Sequence, residues 1–382
     1  MNKILASVVR KFISPSTRFE LRVTVSYLRN LLSIVCFWRW EIVKLPLFKT
    51  SSQYEVFYAG RKESRAQAMA LIGIDGHAHT DGDGIQQQPQ RILISEIPTP
   101  SAFCVPKILS TIVPLTKPLD EITTSYDSEL RRLIHKQRIN YSFQQAISDA
   151  DISRIDRDML KPYASDRHDN SAVQLELDTV HKLASPEFGR LDIILSGGKE
   201  VACHLGCILI RDGKRYWSTV RFGYPQEVFS DRKRLREVNS ITTYLALEWA
   251  LKNGFDYYDI GMSLGRPDGG LLQWKRRRKG ALDTLGNSSY FYVRLPKSGA
   301  AQFLWDAPLF SVDFGRLSLH LGIPKGKTDE EIAVRYREMG YGGLVKIYLH
   351  TAQPIKETLL EKFRGLYSLQ KIPPIIECIT SD

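Results

Sequence analysis

The sequence predicts a mixed α/β (α+β) fold in which a largely antiparallel sheet is flanked by helices. Three apolar runs in succession have the composition of strands, and two short turns separate them, Gly197-Gly198 and Asp212-Gly213. Such turns are signals of tight β-hairpins, so an antiparallel meander is expected with strands at 191–196, 200–210 and 215–223. An earlier succession of helix, strand and helix over 119–159 belongs to the same fold class.

The clearest helix of the chain is expected directly after this meander, over 239–253. Its apolar residues recur at helical spacing, and Asn239 or Ser240 can cap its first turn. Gly254 stands just past its end, where a glycine often terminates a helix. A short strand over 257–260 follows at once.

The remaining elements are predicted from shorter patterns. An edge strand is expected over 290–294, and a capping box of Thr328 and Glu331 should open a helix that ends near Gly340. The other expected strands are 68–74, 91–97, 141–145 and 344–350, and the other expected helices are 129–138, 149–159, 173–183 and 354–363.

The composition is that of a globular protein with a basic surface. The chain has 382 residues, of which 43% are hydrophobic and 25% charged, and this length suits two packed units. Its formal net charge of +11 favours anionic partners, namely nucleic acid, acidic lipid head groups or phosphate-bearing cofactors, without choosing among them. Five scattered cysteines fit a reducing compartment, and no convincing secretory signal is present, so we expect a cytoplasmic protein.

Residues 1–50 form a distinct basic segment with nine lysines or arginines and two glutamates. Aromatic residues are interleaved with these charges, and the run 19–45 is expected to form one or two amphipathic helices. Such a helix can lie on an anionic membrane, which would make the protein peripheral at the inner face of the membrane. The alternative is that the segment docks on the protein body. Charged residues interrupt the apolar stretch 28–47, which is therefore a poor transmembrane span.

Two groups of metal-binding residue types are present, and neither predicts a metal site. His77-x-His79-x-Asp81 lies in a glycine-rich connection and lacks further ligands in a recognisable motif. Cys203 and Cys207 flank His204 in an apolar run, and no second ligand pair has the spacing of a zinc site. We therefore expect no metal cofactor.

The residue types that can carry chemistry concentrate after the helix expected over 239–253. The next strand continues as Asp259-Ile-Gly-Met-Ser263, and a glycine-rich loop and a basic element follow, Gly265-Arg-Pro-Asp-Gly-Gly270 and Gln273-Trp-Lys-Arg-Arg-Arg-Lys-Gly280. Splayed strands next to a helix N-terminus make a slot in which backbone N–H groups can hold an anionic cofactor. The five adjacent cations at 275–279 repel one another, so they need either an anion or exposure to solvent.

Several of these pieces, taken in order, resemble one family. The segment 244–261 reads Tyr-Leu-Ala-Leu-Glu-Trp-Ala-Leu-Lys-Asn-Gly-Phe-Asp-Tyr-Tyr-Asp-Ile-Gly, and with Gly270-Leu-Leu-Gln-Trp-Lys275 it is similar to GNAT-like acyltransferases of the Fem type. Those include peptidoglycan aminoacyltransferases and acyltransferases found with polysaccharide biosynthesis. The basic helix at 129–138 also resembles the one that this family places before its acyltransferase half, so the resemblance covers about 130–295.

The resemblance implies two GNAT-like halves with the substrate groove between them. We expect a basic N-terminal segment, an N-terminal half for which a degenerate GNAT-like unit is one interpretation, a GNAT-like acyltransferase domain and a C-terminal α/β extension. These four parts correspond to residues 1–50, 51–145, 146–300 and 301–382.

The same resemblance implies acyl transfer to an amine or hydroxyl, with Lys275 and Asp259 at the reaction centre. The Lys275 ammonium would stabilise the oxyanion of the tetrahedral intermediate or hold a phosphate. Its simpler interpretation is one member of a solvated basic run. Asp259 would orient the acceptor amine or take its proton, and its simpler interpretation is a cap on the following loop.

The donor and acceptor follow from the same resemblance. Arg266, Arg276 and Arg278 are expected to contact donor phosphates, and Tyr224 and Tyr258 to contact the acceptor. The expected donor is acyl-CoA, and the expected acceptor is a small-molecule or glycan-type precursor of the cell envelope or of an exopolysaccharide. The Arg/Gln-x-x-Gly-x-Gly/Ala loop of ordinary acetyl-CoA enzymes does not occur between a strand and a helix, although Arg277-x-x-Gly280-Ala281 matches part of it.

Two alternatives remain open. The first is aminoacyl transfer from charged tRNA, which the net charge favours and the missing long helical hairpin disfavours. The second is a non-catalytic scaffold of GNAT-like fold that binds the membrane surface through residues 1–50. No zinc-finger, RNP-type or helix-turn-helix signature occurs, so DNA is not an expected partner.

Overall fold

The computed structural model describes residues 40–46, 54–73, 90–168, 174–285, 289–296, 299–368 and 370–380, with isolated positions between 21 and 32. The His77-x-His79-x-Asp81 connection and most of the basic N-terminal segment lie outside these residues. The end of the run expected to be helical, Trp40–Lys44, is a strand instead. No helix in the described ranges is long and apolar enough to cross a membrane.

Both strands and helices occur throughout the described chain. Up to residue 145 they are β1 (Trp40–Lys44), β2 (Tyr54–Arg61), α1 (Lys62–Leu71), β3 (Gln90–Ser95), β4 (Phe103–Pro106), β5 (Ile108–Pro114), α2 (Leu119–Thr124), α3 (Ser128–Gln137) and β6 (Tyr141–Gln145). Up to residue 264 they are α4 (Asp149–Ile155), α5 (Lys161–His168), α6 (Leu177–Ala184), β7 (Gly189–Ser196), β8 (Lys199–Arg211), β9 (Lys214–Gly223), α7 (Gln226–Phe229), α8 (Arg232–Lys252) and β10 (Tyr257–Leu264). The last are α9 (Gly270–Arg276), β11 (Ala281–Asp283), β12 (Tyr290–Arg294), α10 (Ala300–Asp306), β13 (Leu309–Asp313), β14 (Arg316–Ile323), α11 (Asp329–Tyr336), β15 (Leu344–Thr351), α12 (Glu357–Tyr367) and β16 (Ile375–Thr380).

These elements form two compact units, and neither is one continuous stretch of chain. The first unit comprises Met1–Ser110, Met262–Arg276 and Ala281–Asp382. The second unit comprises Thr111–Gly261 and Arg277–Gly280.

The sheet of the second unit contains the expected antiparallel meander. Its strands follow the order β5-β10-β9-β8-β7-β6, and β7, β8 and β9 pair with one another antiparallel. Both predicted hairpin turns are confirmed, because their residues have positive φ angles: Gly197, Gly198, Asp212 and Gly213. A core of buried apolar residues, including Ile155, Leu191 and Leu205, packs on this sheet.

The helix after the meander begins earlier than its apolar pattern indicates. α8 starts at Arg232 rather than near Asn239, because the Asp231 side chain accepts hydrogen bonds from the backbone N–H groups of Lys233 and Arg234. An aspartate is a strong N-cap, and the charged residues after it belong to the first two turns of the helix. The predicted end is confirmed, since Gly254 follows with a φ of 68°.

The first unit contains a five-stranded sheet in the order β1-β2-β3-β12-β4. The prediction of a strand at 68–74 is wrong, because the residues of this run up to Leu71 belong to α1. β2 and β3 are parallel, and parallel neighbours require a crossover connection, which α1 begins. The prediction that 290–294 is an edge strand is also wrong, because β12 lies between β3 and β4 and pairs antiparallel with both.

The same unit contains a four-stranded sheet in the order β13-β14-β15-β16. β13 is antiparallel to β14, while β14, β15 and β16 are mutually parallel and are joined through α11 and α12. The predicted capping box is confirmed at the start of α11. The fold class is therefore mixed α/β, with mixed sheets flanked by helices, as the sequence predicts.

Candidate functional site

The second unit contains a point at which two parallel neighbours stop pairing. β9 and β10 are in parallel register over three residue pairs, and the last pair is Ser218 with Asp259. β9 continues to Gly223, and the chain of β10 continues through Gly261. We call the group of Ser218, Thr219, Tyr258 and Asp259 the fork, because the register of the two strands ends there.

Two local features coincide with the fork. The register between β8 and β9 passes from Leu205–Arg221 to Gly206–Thr219, so Val220 is the extra residue of a β-bulge. Gly261 has a φ of 86°, and a Cβ at this position would lie 2.8 Å from the carbonyl oxygen of Thr219. A side chain is strained in this conformation and would meet backbone at that distance, so the close approach of the two strands requires glycine.

The carboxylate of Asp259 is held on both sides. The Ser218 hydroxyl donates to Asp259 Oδ2 over 2.6 Å, and the Gly261 backbone N–H donates to Oδ1 over 2.9 Å. Asp259 is 2% exposed. These bonds fix the carboxylate at the end of the parallel register.

A second polar chain crosses the fork beside the first. His204 Nε2 lies 3.1 Å from Thr219 Oγ1, and Thr219 Oγ1 lies 3.0 Å from the Tyr258 hydroxyl oxygen. Burial lowers the pKa of His204 to about 3, with a smaller contribution from Arg190 in the same direction. The imidazole is therefore neutral at pH 7. Burial also raises the pKa of Tyr258, so its phenol keeps its proton.

Arg278 is a buried cation among phenols. It is 2% exposed, and burial lowers the pKa of its guanidinium to about 10, so it remains charged at neutral pH. Three neighbouring phenols act in the opposite direction and raise the pKa of Arg278, namely those of Tyr126, Tyr258 and Tyr224. The structure thus brings together three residues that the sequence predicts as ligand contacts: Arg278, Tyr224 and Tyr258.

The other predicted site residues lie in the first unit. Lys275, on α9, is 2% exposed. Arg266 donates to Asp268 over 2.7 Å, and Arg335 shares this carboxylate at 3.2 Å. Arg276 donates to Gln273 over 2.7 Å and lies 3.6 Å from a carboxylate oxygen of Glu338. Both arginines are therefore engaged with partners of their own unit.

The basic run 275–279 is not uniformly solvated. Lys275 and Arg278 are buried, Arg276 and Arg277 are partly buried, and Lys279 is exposed. Burial of a cation in a low-dielectric interior is costly unless an anion or other polar groups compensate it. The interpretation of Lys275 as one member of a solvated run is therefore wrong.

The sequence does not indicate the supporting residues of the fork. Ser218 and Thr219 lie within an ordinary strand pattern, and only the register with β10 places them beside Asp259 and Tyr258. His204 attracts notice for its flanking cysteines, yet its contact is with Thr219. Across the described ranges, no group of three metal-binding side chains is close enough to hold an ion.

Comparison with known proteins gives similarity of structure alone. No family model matches the chain, and no curated protein matches it. FemX has 10% identity over 73% of this chain and 96% of its own length, with a TM-score of 0.38. L-PGS from Bacillus licheniformis has 14% identity over 74% and 94%, with a TM-score of 0.31. A GCN5-related N-acetyltransferase from Anabaena variabilis has 11% identity over 88% and 85%, with a TM-score of 0.29. Because these scores are low, assignment of an activity depends on this chain's own residues.

Proposed function

We propose that this chain is an acyltransferase of GNAT-like fold that transfers an acyl group to an amine or hydroxyl of a cell-envelope or exopolysaccharide precursor. The fork is the observation that supports the proposal most directly. An antiparallel meander leads there to two parallel strands whose register ends at Ser218 and Asp259. Beyond this pair the backbone groups are no longer in the β9–β10 register, and we propose that an extended donor hydrogen-bonds to some of them.

The proposed reaction needs no protein nucleophile. The acceptor nitrogen or oxygen attacks the acyl carbonyl carbon, and a tetrahedral intermediate with a negative oxygen forms. Collapse of this intermediate breaks the bond to the donor and releases a thiol or hydroxyl. The acceptor proton passes to a base, and the leaving group regains a proton.

We assign the role of base, or of orienting group for the acceptor, to Asp259. Its burial and its two hydrogen bonds, from Ser218 and Gly261, support a fixed position. A carboxylate held in this way needs no reorganisation when the acceptor arrives, which is the property that a general base requires.

We assign stabilisation of the oxyanion to Lys275. Its burial supports this role, because a positive charge away from water acts more strongly on a developing negative charge than a solvated one does. The match of Trp274-Lys275 to the aromatic-Lys pair of the Fem type is the second support.

We assign the anionic part of the donor or acceptor to Arg278, with Tyr224 and Tyr258 beside it. A buried guanidinium that stays charged at neutral pH attracts a phosphate or carboxylate strongly. Arg266, which pairs with Asp268, and Arg276, which lies near Glu338, remain candidates for the donor phosphates.

The donor that we propose first is acyl-CoA, and one observation favours aminoacyl-tRNA as a second candidate. The N–H groups of Lys233 and Arg234 at the start of α8 already bond to the Asp231 carboxylate, at 2.9 and 3.1 Å. A pyrophosphate at this helix start would meet that negative charge. A donor whose phosphates are bound by side chains avoids this conflict. The exposed cations of α3 and α8 would bind the phosphates of tRNA in this way.

Binding of the two donors tests the proposal. Calorimetric titration with acetyl-CoA and longer acyl-CoAs should give micromolar binding, and Arg278→Gln should weaken it. The control is Arg277→Gln, at a partly exposed neighbouring residue, which should change the dissociation constant by no more than about twofold. Filter binding of aminoacylated and deacylated tRNA tests the second donor. Binding of neither donor would leave the acyltransferase proposal without support.

A further inference from the structure

The first unit contains a cavity of about 340 Å³ that plays no part in the proposed acyl transfer. It lies at the carboxyl ends of two parallel strands, where Ile323 ends β14 and Thr351 ends β15. Ligands of parallel α/β sheets bind at this edge, in the crevice that the strand ends and the following loops form. The volume is within the range of small-molecule sites, about 300 to 1,000 Å³.

The lining combines two positive groups, two negative groups and an apolar floor. Lys327 and Lys356 supply the positive charge, and Asp329 and Glu330 supply the negative charge. Ile323, Ile332, Ile355 and Leu359 form the apolar part of the lining. A balanced set of charges does not attract a simple anion or a simple cation, so the lining favours a ligand that carries both charges.

The charged pair at the cavity can open at little cost. Lys356 Nζ lies 3.6 Å from Asp329 Oδ2, and the two side chains are 77% and 34% exposed. Such solvated pairs contribute little to stability. A lone anion that displaced Asp329 from Lys356 would leave the aspartate unpaired beside a negative ligand. A zwitterion between them provides each charge with a new partner.

Part of the backbone at the start of α11 is already engaged. Thr328 Oγ1 accepts from the Glu331 N–H over 3.2 Å, and Glu331 Oε2 accepts from the Thr328 N–H over 2.8 Å. The capping box therefore occupies two N–H groups at this helix start. The contacts of the ligand proposed below come only from the side chains that line the cavity.

We propose that this cavity binds a free α-amino acid with an apolar side chain. The ligand carboxylate pairs with Lys356, and the ligand ammonium pairs with Asp329. Lys327 is already paired with Glu331 at 3.0 Å. The apolar side chain packs against Ile355, which lines the cavity and is partly exposed. The site is separate from the residues proposed for acyl transfer, so either proposal can fail without the other.

Ligand-observed saturation-transfer NMR on the full chain tests this proposal, with L-leucine as the probe. The matched half-ligands are 4-methylpentanoate, which lacks the ammonium, and 3-methylbutylamine, which lacks the carboxylate. We expect leucine to bind and each half-ligand to bind at least about tenfold more weakly, because each leaves one charge of the pair unpaired. Equal binding of a half-ligand, binding of inorganic phosphate in place of leucine, or no binding of leucine would overturn the proposal.

Two variants locate the site. Lys356→Ala removes an exposed side chain that lines the cavity, and we expect leucine to bind at least about tenfold more weakly to this variant. Lys362→Ala is the control, because Lys362 is exposed on α12, the helix that directly follows Lys356, and does not line the cavity. Unchanged leucine binding to Lys356→Ala, or an equal loss with Lys362→Ala, would show that leucine binds elsewhere.

Discussion

Ser218 and Asp259 form the last residue pair in the parallel register of β9 and β10, and a hydrogen bond of 2.6 Å joins their side chains. The Asp259 carboxylate is thereby fixed at the point where the register of the two strands ends. The Gly261 N–H holds the second oxygen of the same carboxylate. The fork is thus both a feature of the sheet and the place where a buried acid is fixed.

Asp259→Asn should reduce acyl transfer far more than it reduces stability. A carboxamide keeps the shape of the side chain but cannot take a proton, so we expect kcat/KM to fall about 10² to 10⁴-fold. Ser218→Ala is the matched control, because it removes one hydrogen bond to Asp259 and leaves the acid. Its expected effect is about 0.5–1.5 kcal/mol in the free energy of unfolding, with a small loss of activity. Equal activity losses in the two variants would support Asp259 as a loop cap alone. Steady-state transfer assays and urea unfolding supply both quantities.

Lys275→Ala should lower kcat about 10² to 10³-fold if its ammonium stabilises the oxyanion. Lys279→Asn tests whether loss of any cation from the basic run has the same effect. Lys279 is exposed and has a φ of 53°, a conformation that asparagine tolerates. We expect near wild-type turnover for this control. Wild-type activity in a folded Lys275→Ala protein would remove the catalytic assignment and favour a scaffold function.

Lys107→Met should destabilise the first unit strongly. Lys107 and Glu96 are 2% and 0% exposed and form an ion pair, and Arg61 donates to the same carboxylate at 2.8 and 2.7 Å. Burial by itself would raise the pKa of Glu96, but the Arg61 hydrogen bonds and the Lys107 charge lower it to about 2. Loss of a hydrogen bond to a charged group costs about 1.5–3 kcal/mol, and Glu96 keeps Arg61 as a partner. Urea unfolding should show a smaller loss for Glu96→Gln combined with Lys107→Met, because the charge that then lacks its carboxylate is Arg61, whose side chain is 23% exposed.

Acid should destabilise the first unit through His350. His320 Nδ1 lies 3.0 Å from His350 Nε2, and burial lowers the pKa of His350 from 6.5 to about 4. Burial also lowers the pKa of His320, and the neighbouring His350 makes a smaller contribution in the same direction. Between pH 6.5 and pH 4, His350 binds a proton in the unfolded chain but not in the folded chain. The folded state therefore loses stability as the pH falls from 6.5 to 4. The shift of His350 corresponds to about 3 kcal/mol.

His350→Gln tests this linkage, because glutamine can hydrogen-bond but does not titrate. The variant should be less stable at pH 7, and its melting temperature should fall less steeply between pH 6.5 and 4 than that of the wild type. Identical slopes for the two proteins would assign the acid sensitivity to other groups. Melting curves at closely spaced pH values provide the comparison.

Local signals in the sequence predict those elements whose geometry depends on residues that are close together along the chain. The turns at Gly197-Gly198 and Asp212-Gly213 need positive φ angles, which these residue types adopt readily, and both hairpins form. The capping box of Thr328 and Glu331 is equally local, since its two hydrogen bonds join residues three apart. The basic run 275–279 and the position of Asp259 at a strand are also evident without a structure.

Only the tertiary structure decides which of these residues are buried, which strands are neighbours and where the register ends. β12 is an interior strand because β4 pairs with it across a long sequence separation, and α1 replaces a predicted strand because parallel β2 and β3 need a crossover. Lys275 and Arg278 differ from the exposed Lys279 in burial, although all three lie in one run of cations. The fork itself arises from pairing between distant segments. A local pattern sets φ, ψ and periodicity, whereas pairing and burial depend on residues that are far away in the chain.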